Sequence, residues 1–109
     1  MIIRKKKVIN LSLIKTLDDL YDNLSELFGF PDFFGRNCDA LIDCWFYLRN
    51  PEAGMTNINI SADEYLLLEI KNILSADKII VETLFTSLKF LSLKCKEINE
   101  EPPIVLLLS

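Results

Sequence analysis

The stretch FFGRNCDALIDCW, which runs from Phe33 to Trp45, places two carboxylates among apolar side chains. Asp39 and Asp43 are four residues apart, so on a helix they lie on one face, one turn from each other. Two carboxylates at this spacing can transfer protons, help to hold a divalent cation, or pair with cationic groups of another protein. The other residues of the chain favour some of these chemistries over others.

The chain lacks the further residues that catalysis or metal binding would require. The chain contains no histidine, no glycine-rich phosphate loop and no nucleophile beside a base. A pair of aspartates is by itself a weak metal signal. The cysteines, Cys38, Cys44 and Cys95, are odd in number and form no CxxC pair, which indicates reduced, buried thiols. We therefore predict a protein that is not an enzyme and has no cofactor, no metal ion and no disulfide.

The composition indicates a single folded domain, which we place over residues 1–109. Half of the residues are hydrophobic, 26% are charged, and the formal net charge is −4. An acidic chain without a basic patch binds nucleic-acid phosphates poorly, and no apolar run is long enough to cross a membrane. The charge balance suits a basic protein partner, although solvated surface acids are the commonest cause of such a balance.

The order of the predicted elements is strand, helix, helix, strand, helix, helix, strand. The predicted strands are Lys6–Leu11, Met55–Ile60 and the apolar Ile104–Leu108. The predicted helices are one opened by Thr16 and ended by Gly29, one over Asn37–Leu48, one opened by the Ser61–Glu64 capping pattern and running to Leu74, and one from Ser75 to Ile98. We read the basic and then apolar N-terminus as a strand and not as a secretory signal, because its apolar part is short.

This order predicts an α/β fold, a three-stranded parallel sheet packed with about four helices. The run Ile104–Leu108 has no polar alternation, so we expect it to be the central strand, covered on both faces.

The second helix has two unlike faces. Its core face is predicted to carry Leu41, Cys44, Trp45 and Leu48. The opposite face is predicted to carry Asp39, Ile42, Asp43 and Phe46. Apolar side chains that exclude water, set beside charges that select a partner, are typical of a protein-binding surface.

The segment FFGRNCDALIDCWFYL, with the upstream LDDLYDNLSELFGF and the terminal IVLLLS, resembles the barstar family of intracellular ribonuclease inhibitors. The likeness covers the first strand, the first two helices and the last strand, and it is weaker from residue 50 to residue 101. It implies a three-stranded parallel sheet packed with helices. It also implies inhibition by an acidic helix and its preceding loop, which enter the basic active site of a ribonuclease.

The resemblance implies roles for individual residues. Asp43 matches the aspartate that takes the place of a substrate phosphate, and Asp39 matches a second interface aspartate one turn earlier. The full set of residues predicted to bind the partner is Phe33, Phe34, Gly35, Asn37, Asp39, Ile42, Asp43 and Phe46. Gly35 also fits a simple turn before the helix, and Asn37 also fits a simple N-cap.

Several positions differ from the family pattern. Phe33 replaces a tyrosine, Ile42 replaces a tryptophan, and Arg36 replaces an acid. For the acidic residues that the family presents from its last helix, the candidates are Glu97, Glu100 and Glu101. These differences favour a ribonuclease other than barnase as the partner.

The predicted function is a cytoplasmic immunity protein, a monomer that binds a basic ribonuclease toxin in a 1:1 complex and blocks its active site. No direct contact with nucleic acid or membrane is expected. The alternative is an interaction module of the same fold that binds a protein other than a nuclease.

Overall fold

The computed structural model describes residues 1–109. Its strands are β1 (Ile2–Asn10), β2 (Glu64–Lys71) and β3 (Ile104–Leu108). Its α-helices are α1 (Leu17–Phe28), α2 (Cys38–Phe46) and α3 (Lys78–Glu97). Short 3₁₀ turns lie at Leu11–Leu13, Pro51–Ala53 and Ile73–Ser75. The strands form one parallel sheet, so the predicted α/β class is confirmed, with three α-helices and not four.

The central strand is β2 and not the C-terminal strand, so that part of the prediction is wrong. The strand order is β1-β2-β3, and Leu106, Leu107 and Leu108 of β3 are between 41% and 56% exposed. The apolar run of β3 therefore does not reflect burial on both faces. The central position of β2 depends on the parallel pairing that it makes with both neighbours, and this is not encoded in the pattern of a single segment.

The helix predicted from Ser61 to Leu74 is also wrong, because most of this segment is β2. One of the two contacts of the predicted capping box forms, and a backbone hydrogen bond takes the place of the other. The Ser61 amide donates to Glu64 Oε1 at 2.8 Å, and the Glu64 amide donates to the Ser61 carbonyl at 3.1 Å. They close a turn that leads into the strand. Pairing on both sides then outweighs the local helical preference.

The segment Met55–Ile60, predicted as a strand, joins no sheet. Its alternation is real, since Ile58 and Ile60 are buried while Asn57 and Asn59 are exposed. The amide of Asn57 donates to the carbonyl of Phe28 at the end of α1. The segment therefore packs its isoleucines into the core as an irregular connection.

The ends of α1 are as predicted. Thr16 Oγ1 accepts from the Asp19 amide, and Asp19 Oδ2 accepts from the Thr16 amide, which together make a capping box. Gly29 ends the helix in the left-handed conformation, with φ 64°. The long helix α3 follows Asp77, close to its predicted start.

One face of the sheet carries the core. Ile9, Leu66, Leu68 and Ile70 are buried there, and the helices contribute buried residues that include Leu24, Phe28, Trp45, Leu84 and Leu91. The other face is more polar, and Lys6 and Glu69 form an ion pair on it at 3.0 Å. None of the three α-helices combines the length and the hydrophobicity that a membrane span requires.

Candidate functional site

Helix α2 packs one side against the core, and its first turn is capped. Leu41, Trp45 and Leu48 are fully buried, and Cys44 is nearly so. Asn37 is the N-cap, and its Oδ1 accepts from the Ala40 amide at 2.8 Å. The core face of this helix is as predicted, and it holds the opposite side in a fixed orientation.

The acidic face of α2, defined as Asp39, Ile42, Asp43 and Phe46, lies on that opposite side. The two aspartates are exposed, whereas Ile42 and Phe46 are half-buried. Phe46 also packs against the core. The structure therefore combines two accessible carboxylates with two partly covered apolar side chains, and their role in binding stays a prediction.

Asp43 has a counter-ion on α3. Lys94 Nζ lies 2.9 Å from Asp43 Oδ1 and 4.5 Å from the centre of the Phe46 ring. The lysine side chain is 37% exposed and the aspartate side chain 56%. Asp39 forms no ion pair. The two carboxylates of the acidic face therefore differ in their charge environment.

An open groove of about 760 Å³ runs between α2 and α3 beside the acidic face. Its lining residues are Cys38, Asp39, Ile42, Asp43, Thr86, Phe90, Leu93, Lys94 and Glu97. Phe90 and Leu93 are about half exposed, at 50% and 46%. The surface available to a partner thus extends from α2 onto α3, with apolar walls and three carboxylates around one ammonium group.

The α1–α2 loop, residues 29–37, carries three aromatic residues, Phe30, Phe33 and Phe34, which differ in exposure. Phe33 is 75% exposed, whereas Phe34 is half-buried, with its ring 4.7 Å from that of Phe30. A side chain at Gly35 would meet Ala40 Cβ at 3.3 Å, so the small residue lets the loop lie against the first turn of α2. Phe33 is the aromatic side chain of this loop that is free to contact a partner.

Arg36 ties the loop to α1. Its guanidinium donates to Asp22 Oδ1 at 2.6 Å and to Asp18 Oδ1 at 3.2 Å. Its hydrogen bonds to Asp22 and next to Asp18 raise the pKa of Arg36 above its ordinary value. Arg36 also has a positive φ of 53°, which is uncommon for a residue other than glycine. The residue that replaces a family acid therefore makes contacts within the chain and is not turned toward the acidic face.

Two ionisable side chains that pack at α2, Cys44 and Tyr21, have raised pKa values. Burial, and next the charge of Asp43, raise the pKa of the Cys44 thiol to about 11. Burial, and next Cys38, raise the pKa of Tyr21 to about 12. No group of three histidine, cysteine, aspartate or glutamate side chains is placed to hold a metal ion. The arrangement places two exposed carboxylates where they can pair with cationic groups.

The acidic candidates at the end of α3 are separated by the structure. Glu97 lines the groove, whereas Glu100 and Glu101 line a different depression with Arg49 and Tyr65. Sequence reasoning missed Phe90, Leu93 and Lys94 as members of the site. A signal was present, since Phe90 and Leu93 are apolar residues at positions other than those of Leu84, Leu88, Leu91 and Cys95, the buried face of this helix.

The fold and this surface define a class of small α/β proteins, with a three-stranded parallel sheet packed against helices, one of which has an exposed acidic face. The family model described as Barstar (barnase inhibitor) matches residues 4–89, and the chain belongs to the barstar family. A curated relative from Bacillus subtilis (strain 168), named "Putative ribonuclease inhibitor YrdF", is 34% identical over 71 residues, which cover 57% of this chain and 78% of the relative.

Proposed function

We propose that this protein is an inhibitor that binds a basic ribonuclease toxin and blocks its active site with the acidic face of α2. The observation that carries the proposal is the exposed pair Asp39 and Asp43, set beside Ile42 and Phe46 on a helix of a barstar-family chain. A ribonuclease must hold RNA phosphates, so its cleft presents cationic groups. Carboxylates on a rigid helix are suited to occupy such a cleft.

The rigidity of the site supports this role. Leu41, Trp45 and Leu48 hold α2 in the core, Asn37 caps it, and Arg36 fastens the preceding loop to α1. Docking a pre-formed surface of this kind orders few additional side chains, so less conformational entropy opposes binding. Phe33 and the apolar part of the acidic face would exclude water around the charges and strengthen their interaction.

The charge of the chain supports rapid association. A net charge of −4 attracts a basic partner over distances of about one Debye length, roughly 8 Å at physiological salt. The association rate should therefore fall as salt concentration rises. We place the protein in the cytoplasm as a single domain and a monomer, protecting the cell from the toxin in a 1:1 complex, without catalysis and without direct contact with nucleic acid.

The experiment is a titration of RNA cleavage with the wild-type protein and with the double variant Asp39→Ala, Asp43→Ala. The enzymes are barnase and the ribonuclease that co-purifies with the tagged protein from its host, identified by mass spectrometry. The proposal expects stoichiometric inhibition by the wild type and a large loss in the double variant, which should remain folded. Equal inhibition by both proteins would show that another surface holds the ribonuclease.

The same experiment distinguishes the alternative function. If the wild type inhibits neither ribonuclease, the chain is better described as an interaction module of the barstar fold with a partner that is not a nuclease. Circular dichroism of both proteins is the control, because a double variant that has lost its fold would give no information on the site.

A further inference from the structure

Lys94 forms an ion pair with Asp43, one of the two carboxylates that the proposed function presents to the partner's cations. Its ammonium group is 2.9 Å from the carboxylate and lies over the Phe46 ring at 4.5 Å. The other charged residues that line the groove, Asp39 and Glu97, are acidic. In the free protein, the negative charge of Asp43 is therefore already paired with a lysine of the same chain.

This pairing conflicts with a partner that offers only cations. A guanidinium or ammonium group brought to Asp43 would also approach the Lys94 ammonium, and like charges placed together at an interface are strongly unfavourable. The conflict is relieved if Lys94 swings away, which breaks a half-exposed ion pair and its contact with Phe46. It is also relieved if the partner presents a carboxylate to Lys94 next to its cationic centre.

Resting on the proposed function, we infer that Lys94 is a specificity-determining residue, an internal counter-ion that must be displaced or matched before a ribonuclease can use Asp43. The site therefore discriminates against clefts that are purely cationic at this point. It accepts with least penalty a ribonuclease whose cleft also carries an acidic side chain facing α3.

The probe is whichever of the two ribonucleases of the titration above, barnase or the co-purifying enzyme, the wild-type protein inhibits. Its dissociation constant is measured by calorimetry with a set of lysine variants. Lys94→Met removes the charge and keeps an unbranched side chain of similar length. Lys96→Met, two residues along the same helix, is the matched control, because Lys96 is exposed and forms no ion pair. Lys94→Arg keeps the charge and should behave as the wild type.

Lys94→Met should bind this ribonuclease about fivefold more tightly than Lys96→Met, which is the size expected for releasing one half-exposed ion pair. The difference should vanish when both substitutions are compared in the Asp43→Ala background. Equal affinities of Lys94→Met and Lys96→Met, weaker binding by Lys94→Met, or no binding by any variant would each overturn the inference.

A measurement on the free protein separates this inference from the proposed function. Asp43→Asn should shift the side-chain ammonium resonance of Lys94 in a nitrogen NMR spectrum and leave that of Lys96 unchanged. If the shift is seen but the double aspartate variant still inhibits, the proposed function fails. If the aspartates are needed for inhibition but Lys94→Met has no effect beyond its control, only the present inference fails.

Discussion

Asp43→Ala should weaken ribonuclease binding more than any other single substitution. Truncating one partner of a buried, hydrogen-bonded charge pair costs about 2–5 kcal/mol, because the cations opposite are left unpaired. Part of this loss is offset, because the wild type must break the ion pair between Asp43 and Lys94 before it binds. A half-exposed ion pair of this kind contributes about 0.2–1 kcal/mol to the free protein. The net loss is about 2–4 kcal/mol, or about 30- to 1,000-fold in Kd.

Asp39→Ala should have a smaller effect, about 1 kcal/mol, because Asp39 is exposed in the first turn of α2 and exposed charge pairs contribute little. The assay is inhibition of RNA cleavage together with a urea denaturation curve for each variant. Asp63→Ala, at an exposed turn before β2, is the control for the change in net charge. An Asp43→Ala variant that inhibits within threefold of Asp63→Ala would refute the reasoning, provided that its stability is unchanged.

Three further predictions concern the framework of the site. The pKa values of Cys44 and Tyr21 are raised from 9.0 and 10.0 to about 11 and about 12, so the unfolded chain releases these protons first. Stability, measured as the urea midpoint, should therefore fall as pH rises from about 9 to about 12. Asn37→Ala should destabilise the protein by about 1 kcal/mol and weaken inhibition, whereas Asn37→Ser should keep most of the cap; thermal denaturation and the cleavage assay test this pair. Gly29→Ala should cost about 1–2 kcal/mol or more in urea denaturation, because alanine is disfavoured at φ 64° and its Cβ would overlap the Asn57 side chain; a loss below about 0.5 kcal/mol would contradict this.

Local sequence signals determined the helices of the first half of the chain. The capping box at Thr16, the glycine at position 29 and the N-cap at Asn37 each satisfy backbone groups within a few residues, so their effect can be predicted from neighbouring residues. The two faces of α2 follow from helical spacing in the same way. The candidate site on α2 and its preceding loop could therefore be predicted from the sequence.

Hydrogen bonding between strands that are distant in sequence decided the secondary structure of the second half of the chain. The segment 61–71 begins with a sequence pattern that is typical of a helix N-terminus. Its apolar residues are consecutive, so hydrophobic periodicity does not distinguish a buried strand from a buried helix. The choice of β2 as the central strand depends on hydrogen bonds to β1 and β3, which lie far away in sequence. The alternation at Met55–Ile60 reflects burial alone, without a strand to pair with.

The sequence by itself determined which helix is acidic and which of its sides faces the core, because spacing along one helix fixes both. It also determined the parallel α/β class, because strands separated by helices have few other arrangements. Only the tertiary structure decided what lies opposite Asp43. Lys94 is 51 residues away along the chain, and its approach depends on how α3 packs against α2. The attachment of Arg36 to α1 is of the same kind, since an ion pair between distant residues exists only once the elements that carry them are packed together.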